Sequence, residues 1–350
     1  MNRRSFLSSF APIGIGLSGC LRFSADRERA PDWSYEHGGT DRGSRVVREL
    51  VASHGLLFLV EEEGSVLAIR PGDGREWESS APPWILTAPA VVGNRLLVGN
   101  RWGSVSIFET ETGHQDGRID LDDGFGRLQP IVATGETALV GTYDGTIHKL
   151  DHEAAIEVEP GVDEPITGLI PIDDGMIATG EDGTVRRITD DGKISWELSV
   201  GEQPRLTKGN GELVYVGSSK GLTALDSDDG ETLWTVHSDR TVDLNAARCA
   251  PTVTEDGLYV TAFGDSGSSL FLVDFEGGVQ WEQSIDPATE PPVVYDGVAY
   301  TSTLDGTLYA IEDGEIVWVY DEGRSGATRP YLLDETVYHI VDDRIVGFDI

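Results

Sequence analysis

Three glycine-rich motifs in this sequence have the residue types of enzyme sites. Gly14-x-Gly16-x-x-Gly19 fits the dinucleotide-binding fingerprint, but that fingerprint needs a strand–helix–strand unit, and none follows here. Gly217–Gly221 fits the G-x-S-x-G pattern of a nucleophilic serine, and Gly264–Gly267 reads GDSG, as at a protease serine. Both lie between apolar β-branched runs, where small residues are typical of hairpin turns. We therefore predict no catalytic residues.

Two polar groups have the residue types of metal sites. His148 and His152 are four residues apart, a spacing that brings two imidazoles together only on a helix, and the local pattern is that of a strand entering a turn. We interpret both as surface histidines. The run Asp226–Glu231 is rich in carboxylates but lacks the ligand order of an EF-hand loop. We expect an acidic turn there, with no bound metal and no cofactor.

The elements that carry these motifs are repeats of about 40 residues. A glycine after a short apolar run recurs at intervals that range from 38 residues (145 to 183) to 46 residues (221 to 267). The recurring positions are Gly64, Gly103, Gly145, Gly183, Gly221, Gly267 and Gly306. Most repeats end in a tryptophan, at Trp77, Trp196, Trp234, Trp281 and Trp318. This period predicts propeller blades of four antiparallel strands, A to D, with the tryptophan on strand D as a wedge between blades.

The two ends of the repeat region indicate how the ring closes. The last repeat ends after a third strand, Arg344–Asp349, whereas Trp33 precedes the first repeat and resembles a strand D tryptophan. We predict an all-β, eight-bladed β-propeller over residues 33–350, with its last blade completed by the N-terminal strand, which removes an open sheet edge. Seven blades with a loose end are the alternative. The second and third repeats lack the tryptophan, and its place falls near Gly117 and Ile156.

One group of residues has the composition of a binding surface. In a blade, the B–C turns and the D–A loops emerge on the same face of the disc. Aromatic and arginine side chains are favoured at binding centres, so a group of them in these loops indicates a binding surface. The predicted partner-binding face contains Trp84, Trp102, Phe125, Tyr143, Arg101 and Arg127. The predicted rim of the central channel contains Arg205, Arg248 and Arg329, which stand where strands A begin. The alternative is that these arginines are scattered and that Trp84 packs under its own loop.

The repeats resemble a known family. The segment ALDSDDGETLW (Ala224–Trp234) is similar to the tryptophan-docking repeat of pyrroloquinoline-quinone (PQQ) enzyme propellers, with degenerate copies at Glu109–Gly113, Val273–Trp281 and Ala310–Trp318. The resemblance covers residues 33–350 and implies the propeller fold. The family includes quinoprotein dehydrogenases and non-enzymatic assembly lipoproteins. The dehydrogenases are longer and carry a calcium site and often adjacent cysteines, which Cys20 and Cys249 are not.

The composition excludes some partners. Asp and Glu number 61 against 26 Lys and Arg, for a net charge of −35. Nucleic-acid binding needs a basic footprint, so we expect no nucleic-acid partner. The carboxylates are spread over every repeat and only four residues are lysine, which indicates a surface adapted to high salt, as in a halophilic archaeon.

The N-terminus resembles an export signal that ends in a lipid-attachment site. Arg3-Arg4-Ser5-Phe6-Leu7 resembles a twin-arginine export signal, and Leu17-Ser18-Gly19-Cys20 resembles a lipobox, in which Cys20 carries the lipid. We predict a signal peptide over residues 1–19, a tether over 20–32 and an extracytoplasmic location on the outer face of the cell membrane. A chance cysteine in an ordinary signal peptide is the alternative.

These features favour a non-enzymatic function. We expect a monomeric, membrane-anchored propeller that serves as a scaffold or adaptor for an unidentified membrane or secreted protein. The alternatives are a propeller that binds an anionic small molecule at its channel, a vestigial PQQ-dependent dehydrogenase, or a structural surface protein.

Overall fold

A computed structural model of the chain describes residues 27–36, 47–85, 87–121, 131–150, 155–158, 162–209, 213–237, 250–264, 267–288, 290–322, 329–341 and 344–350. These residues form eight four-stranded antiparallel sheets, each of which is one blade. The prediction of an all-β, eight-bladed propeller is therefore confirmed. Within the described ranges no helix is long and apolar enough to cross a bilayer.

The strands follow one another through the ring in sequence order, apart from the first. That strand, β1 (Trp33–Glu36), belongs to blade 8. Blade 1 contains β2 (Val47–Ser53), β3 (Leu56–Glu61), β4 (Ser65–Arg70) and β5 (Gly74–Ser80). Blade 2 contains β6 (Ala90–Val92), β7 (Arg95–Gly99), β8 (Ser104–Glu109) and β9 (Gln115–Asp120). Blade 3 contains β10 (Ile131–Thr134), β11 (Thr137–Gly141), β12 (Ile147–Leu150) and β13 (Ala155–Val158). Blade 4 contains β14 (Ile166–Ile172), β15 (Gly175–Gly180), β16 (Thr184–Thr189) and β17 (Ile194–Ser199).

The second half of the ring repeats this order. Blade 5 contains β18 (Arg205–Lys208), β19 (Leu213–Ser218), β20 (Gly221–Asp226) and β21 (Thr232–His237). Blade 6 contains β22 (Thr252–Val253), β23 (Leu258–Gly264), β24 (Gly267–Val273) and β25 (Val279–Ile285). Blade 7 contains β26 (Val293–Tyr295), β27 (Val298–Ser302), β28 (Leu308–Glu312) and β29 (Glu315–Tyr320). Blade 8 contains β30 (Tyr331–Leu333), β31 (Thr336–Val341), β32 (Arg344–Asp349) and β1. We call the face with the B–C turns and D–A loops the loop face, and the face with the A–B and C–D turns the turn face.

The N-terminal strand closes the ring. β1 pairs antiparallel with β32, with Trp33 opposite Gly347 and Glu36 opposite Arg344. The Trp33 ring lies 5.7 Å from the ring of Tyr338, edge to face. The predicted closure is therefore confirmed. Pairing the two ends leaves β32 without an exposed edge.

The hydrophobic core is divided among the blade interfaces. Eight clusters of buried side chains each join two neighbouring blades. The cluster between blades 8 and 1, for example, combines Tyr338 and Ile340 with Leu57 and Leu59. Because each blade buries both faces against its neighbours, no blade has a core of its own.

Four tryptophans of strand D rest on a turn glycine of the next blade, and the fifth, Trp318, packs on Phe348 of blade 8 with the ring centres 5.0 Å apart. The Nε1 atom of Trp77 donates to the carbonyl of Thr110 at 2.9 Å, and Trp196 donates in the same way to Ser227 at 3.0 Å. A Cβ added at Gly113 would lie 2.5 Å from the Trp77 ring, so only glycine allows the indole to rest on that turn. Trp234 and Trp281 rest on Gly277 and Gly314. These tryptophans therefore lie as wedges between neighbouring blades, as predicted.

The strand register identifies the two positions without a tryptophan. Ala68 pairs with Trp77 in blade 1, and the corresponding pairs are Ile107 with Gly117 in blade 2 and Lys149 with Ile156 in blade 3. The sequence therefore located both gaps correctly. At Gly117, blade 2 has no side chain at the position from which Trp77 of blade 1 packs into the interface with the next blade.

The motifs that resemble enzyme or metal sites take their structural roles in strands and turns. Ser218 pairs with Gly221, so the first serine motif is a B–C hairpin. Gly264 pairs with Gly267 at the ends of the second motif, whose two middle residues lie outside the described ranges. The fingerprint at residues 14–19 lies outside the described residues. The interpretation of His148 as a surface histidine is wrong, because it lies in β12, whose two faces are covered by neighbouring blades, and it is buried. Burial lowers its pKa.

Candidate functional site

The backbone conformation at Trp84 makes its side chain project from the loop face into solvent. Its φ of +66° lies in the left-handed region, which bulky side chains rarely adopt. Its N–H donates to the carbonyl of Glu62 at 2.6 Å, and the following residue, Ile85, is fully buried. The buried isoleucine anchors the loop while the indole remains 46% exposed. Strained backbone of this kind is found where a side chain must be presented for a purpose.

Arg101 lies between Trp84 and a second exposed indole. Its guanidinium carbon is 5.4 Å from the centre of the Trp84 ring and 5.0 Å from that of Trp102, which is 50% exposed. The two elements are tied by the backbone, since Arg101 N–H donates to the Trp84 carbonyl at 2.9 Å. Asn100 accepts hydrogen bonds from the N–H groups of Trp102 and Ser104, which fixes the B–C turn. We call these residues the Trp84–Arg101–Trp102 cluster.

The cluster has the properties of a protein-binding centre. Two indoles and one guanidinium supply a large apolar area with little conformational freedom to lose on binding. Arg101 makes no salt bridge with any residue that the structure describes, although the chain carries a net charge of −35. Its charge is therefore available to a carbonyl or carboxylate of a partner.

The other predicted members of this face are less closely assembled. Tyr143 is 50% exposed on the B–C turn of blade 3, but in the described part of the chain it makes no ring contact with either tryptophan. Phe125 and Arg127 lie outside the described residues, as does Cys20. The juxtaposition of one D–A loop with the next blade's B–C turn is what brings Trp84 and Trp102 together.

A second group of predicted site residues lies at the starts of strands A on the same face. Arg205 begins β18 of blade 5, Arg329 precedes β30 of blade 8, and both are exposed. Both act electrostatically on Glu290, which precedes β26 of blade 7. Burial raises the pKa of Glu290, and the positive charges of Arg329 and Arg205 partly offset that rise. The sequence analysis singled out the two arginines for this group but not Glu290. Arg248 lies outside the described residues.

The residues do not fit a calcium-dependent quinone site. Within the described ranges no three His, Cys, Asp or Glu side chains are grouped so that they could hold a metal ion. In the turn at Asp226–Glu231, the carboxylates instead accept backbone N–H groups, with Asp226 bound to Asp228 N and Asp229 to Glu231 N, both at 2.8 Å.

Sequence comparison places the repeats in a known group. A family model described as outer membrane protein assembly factor BamB matches residues 101–285 and 218–350. A BamB of Yersinia pestis is 24% identical over 289 residues, which cover 74% of this chain and 62% of that protein. The chain spans 62 to 64% of the length of this relative and two other BamB proteins that it matches.

Comparison with solved structures supports the fold. The BamB structure from Moraxella catarrhalis superposes with a TM-score of 0.69 at 17% identity, over 92% of this chain and 97% of that one. The Saccharomyces cerevisiae protein Sqt1 superposes with a TM-score of 0.74 at 12% identity, over 92% and 99% of the two chains. At these identities the similarity concerns the fold alone.

Proposed function

This chain belongs to the family described as outer membrane protein assembly factor BamB, and we propose that it is a membrane-anchored, extracytoplasmic propeller that serves as a protein-interaction scaffold without catalysis. The relatives are named as assembly factors, which supports a role in binding other proteins. The observation that carries the proposal is the Trp84–Arg101–Trp102 cluster, whose two indoles are exposed and whose backbone is constrained.

The proposed binding mode follows from the chemistry of the cluster. The indoles supply the apolar area that a partner side chain would cover, and Arg101 supplies the charge. The partner segment is proposed to be apolar at its centre with an acceptor group beside Arg101. Tyr143 extends the proposed face, and Phe125 and Arg127, which lie outside the described residues, are proposed as further members.

The proposed anchor is Cys20, and the start of the described chain supports a short tether. Glu28 forms a parallel bridge with Val319 on the outer strand of blade 7, and Arg29 lies 5.0 Å from the centre of the Trp318 ring. The eight residue steps from Cys20 to Glu28 (28 − 20) span at most about 29 Å. A lipid at Cys20 would therefore hold the rim between blades 7 and 8 near the bilayer.

Capture from native membranes in high salt tests the partner-binding function. Wild-type protein, crosslinked in place, is expected to retain a reproducible partner that the variant Trp84→Ala/Trp102→Ala loses by about tenfold, as two hot-spot aromatics would require. The matched control is Leu233→Ala, which removes an equally exposed apolar side chain, 50% exposed, from the outer strand β21. Identical recovery by wild type and the double variant, or no partner at all, would count against the proposal.

A separate measurement tests the anchor. Mass spectrometry of the mature N-terminus is expected to find lipid on Cys20, and Cys20→Ser is expected to move the protein from the membrane to the soluble fraction. An unmodified Cys20 in the mature protein would refute the anchor without affecting the binding face.

The channel mouth supports a second candidate function, the binding of an anionic small molecule. Arg205 and Arg329 form no salt bridge with any described residue and approach one half-buried glutamate. Titration calorimetry with citrate is expected to detect binding that Arg205→Gln/Arg329→Gln abolishes. No heat with citrate would count against this second function, and no dye reduction with PQQ and calcium would exclude a vestigial dehydrogenase.

A further inference from the structure

The interface between blades 2 and 3 contains a cavity of about 270 Å³. It opens toward the turn face, beside the A–B turns at Gly93 and Glu136, and so lies on the opposite side of the disc from the Trp84–Arg101–Trp102 cluster. We call it the blade 2–3 cavity. Its apolar lining consists of Val92, Leu97, Ile107, Ala138 and Leu150.

One wall of the cavity corresponds to the wall that carries a docking tryptophan elsewhere. In blade 1, Phe58, Ala68 and Trp77 stand side by side across three strands. The same row in blade 2 is Leu97, Ile107 and Gly117. The glycine at the end of this row removes the whole indole, and a Cβ added there would meet only Ile107, at 3.9 Å. The position is therefore open to a larger group.

The facing wall is also reduced. Trp77 packs against Leu96 and Phe108 of blade 2, which are cross-strand partners. The equivalent partners in blade 3 are Ala138 and Leu150, both buried and both lining the cavity. Three of the lining side chains, Leu97, Ala138 and Leu150, are smaller than their counterparts between blades 1 and 2, which widens the space, whereas Ile107 is larger than Ala68.

The rim of the cavity offers a polar group of defined chemistry. Arg95 forms a salt bridge with Asp116 at 2.8 Å through one terminal nitrogen. Its Nε atom is buried and has no hydrogen-bond partner among the residues that the structure describes. A buried N–H without an acceptor is unfavourable, and a ligand carbonyl would satisfy it. A guanidinium at the edge of an aromatic site also attracts the ring face, as Arg101 does at two indoles.

We propose that the blade 2–3 cavity is a second binding site, which accepts an aromatic side chain, indole above all, from an extended segment of a partner protein. The ring takes the place that Trp77 fills one interface earlier. The Arg95 Nε–H donates to a backbone carbonyl of the segment. The site is independent of the proposed scaffold function on the loop face, because the two share no residue.

The probe for this site is N-acetyl-L-tryptophanamide, which carries both the indole and backbone carbonyls. Ligand-observed NMR and titration calorimetry on the purified full chain are expected to show saturable binding, with N-acetyl-L-leucinamide binding at least tenfold more weakly. Gly117→Trp places an indole in the seat from within the chain and is expected to weaken probe binding at least tenfold while raising the melting temperature.

Three further variants keep the test decisive. Ala138→Leu restores the larger residue of the facing wall and is expected to weaken binding at least fivefold even if Gly117→Trp does not fold. Ile156→Trp adds an indole at the other position without one, on blade 3, and is expected to leave binding within twofold of wild type. Trp84→Ala/Trp102→Ala is also expected to bind as wild type does.

The outcomes separate the two sites. Undetectable probe binding by the wild type overturns the inference, as does equal binding by wild type, Gly117→Trp and Ala138→Leu. Loss of probe binding in Trp84→Ala/Trp102→Ala, with Ala138→Leu unaffected, would place the probe on the loop face and also overturn it. None of these results bears on whether membrane capture depends on the Trp84–Arg101–Trp102 cluster.

Discussion

At the interface between blades 1 and 2, Trp77 is only 9% exposed and combines two interactions. Its ring packs on the Phe58 ring at 5.9 Å and over Gly113, and its Nε1–H binds the Thr110 carbonyl. Since the carbonyl belongs to a buried residue, the hydrogen bond and the apolar contact serve the same interface. A tryptophan at this place therefore both fills the gap between blades and fixes their register.

We predict that Trp77→Ala lowers the free energy of unfolding by about 4 kcal/mol, the usual cost of removing a large buried aromatic. Trp77→Phe should cost about 1–2 kcal/mol, because it keeps most of the ring contact and leaves the Thr110 carbonyl without its donor. Urea unfolding measures both, with Trp84→Ala as the matched control, expected to change stability by less than about 0.5 kcal/mol. Equal losses for Trp77→Ala and Trp84→Ala would contradict the docking role.

His339 is a fully buried histidine in β31. Its Nε2 lies 3.0 Å from the Gly306 carbonyl and so carries the proton, while its Nδ1 has no hydrogen-bond partner among the described residues. Burial lowers the pKa of His339 to about 4, from an ordinary value of 6.5. The folded protein therefore holds the ring neutral at pH values where the unfolded chain takes up a proton.

We predict that His339 makes stability fall as the pH is lowered. Above pH 6.5 the histidine is neutral in both the folded and the unfolded protein, so it does not reduce the stability. Between pH 6.5 and pH 4 only the unfolded chain takes up the proton, and the free energy of unfolding falls by about 3 kcal/mol in total. Urea unfolding of wild type and His339→Gln at several pH values isolates this contribution, since the glutamine amide can still donate to the Gly306 carbonyl. Parallel stability profiles for the two proteins between pH 7 and 4.5 would show that the histidine does not titrate in this way.

On the scale of elements, β1 is the strand on which ring closure depends. It is only four residues long and pairs with the first four residues of β32, Arg344–Gly347. The preceding residues extend the contact, because Asp32 N–H donates to the Gly347 carbonyl at 2.9 Å and the Arg29 side chain donates to the Asp349 carbonyl. β1 and β32 are therefore paired although they lie at opposite ends of the repeat region and no hairpin connects them.

We predict that loss of this strand opens the ring. Deletion of residues 27–36 should expose the edge of β32 and produce concentration-dependent association, which unpaired edges favour. Trp33→Ala should keep the pairing but cost about 2 kcal/mol through lost packing on Tyr338. Light scattering and urea unfolding measure the two effects. A truncated protein that remains monomeric with wild-type stability would refute the role of β1 in closure.

For the whole molecule, the dominant long-range force is the mutual repulsion of its carboxylates. The net charge of −35 is distributed over all eight blades. In dilute buffer, with a screening length of about 10 Å at 0.1 M salt, neighbouring turns repel one another, whereas at 1 M the length falls to about 3 Å. Compactness is therefore favoured by salt.

We predict that raising NaCl from 0.1 to 2 M increases the melting temperature, by roughly 2 °C for each kcal/mol of repulsion relieved. The matched variant Glu111→Gln/Glu181→Gln/Glu202→Gln/Glu255→Gln removes four exposed carboxylates and changes the net charge from −35 to −31, by −35 + 4. It should melt higher than wild type at low salt and gain less from added NaCl. A salt response that is absent, or equal in both proteins, would argue against charge repulsion.

The amino-acid sequence alone determined the number of blades, the closure of the ring and the two gaps at Gly117 and Ile156. These features depend on local information, because alternating apolar residues, turn glycines and strand D tryptophans recur with the length of one blade. The same local reasoning explains why the GxSxG and GDSG motifs are turns. It failed for His148, whose burial depends on a neighbouring blade rather than on its own strand.

Only the tertiary structure decided which residues meet across blades. The stacking of Arg101 between Trp84 and Trp102, the approach of Arg205 and Arg329 to Glu290, and the blade 2–3 cavity all join segments of different blades. Their contacts depend on the angle between sheets and on the path of the D–A loops. Neither quantity is encoded in the repeat period, because a single blade acquires its partners only when the ring is complete.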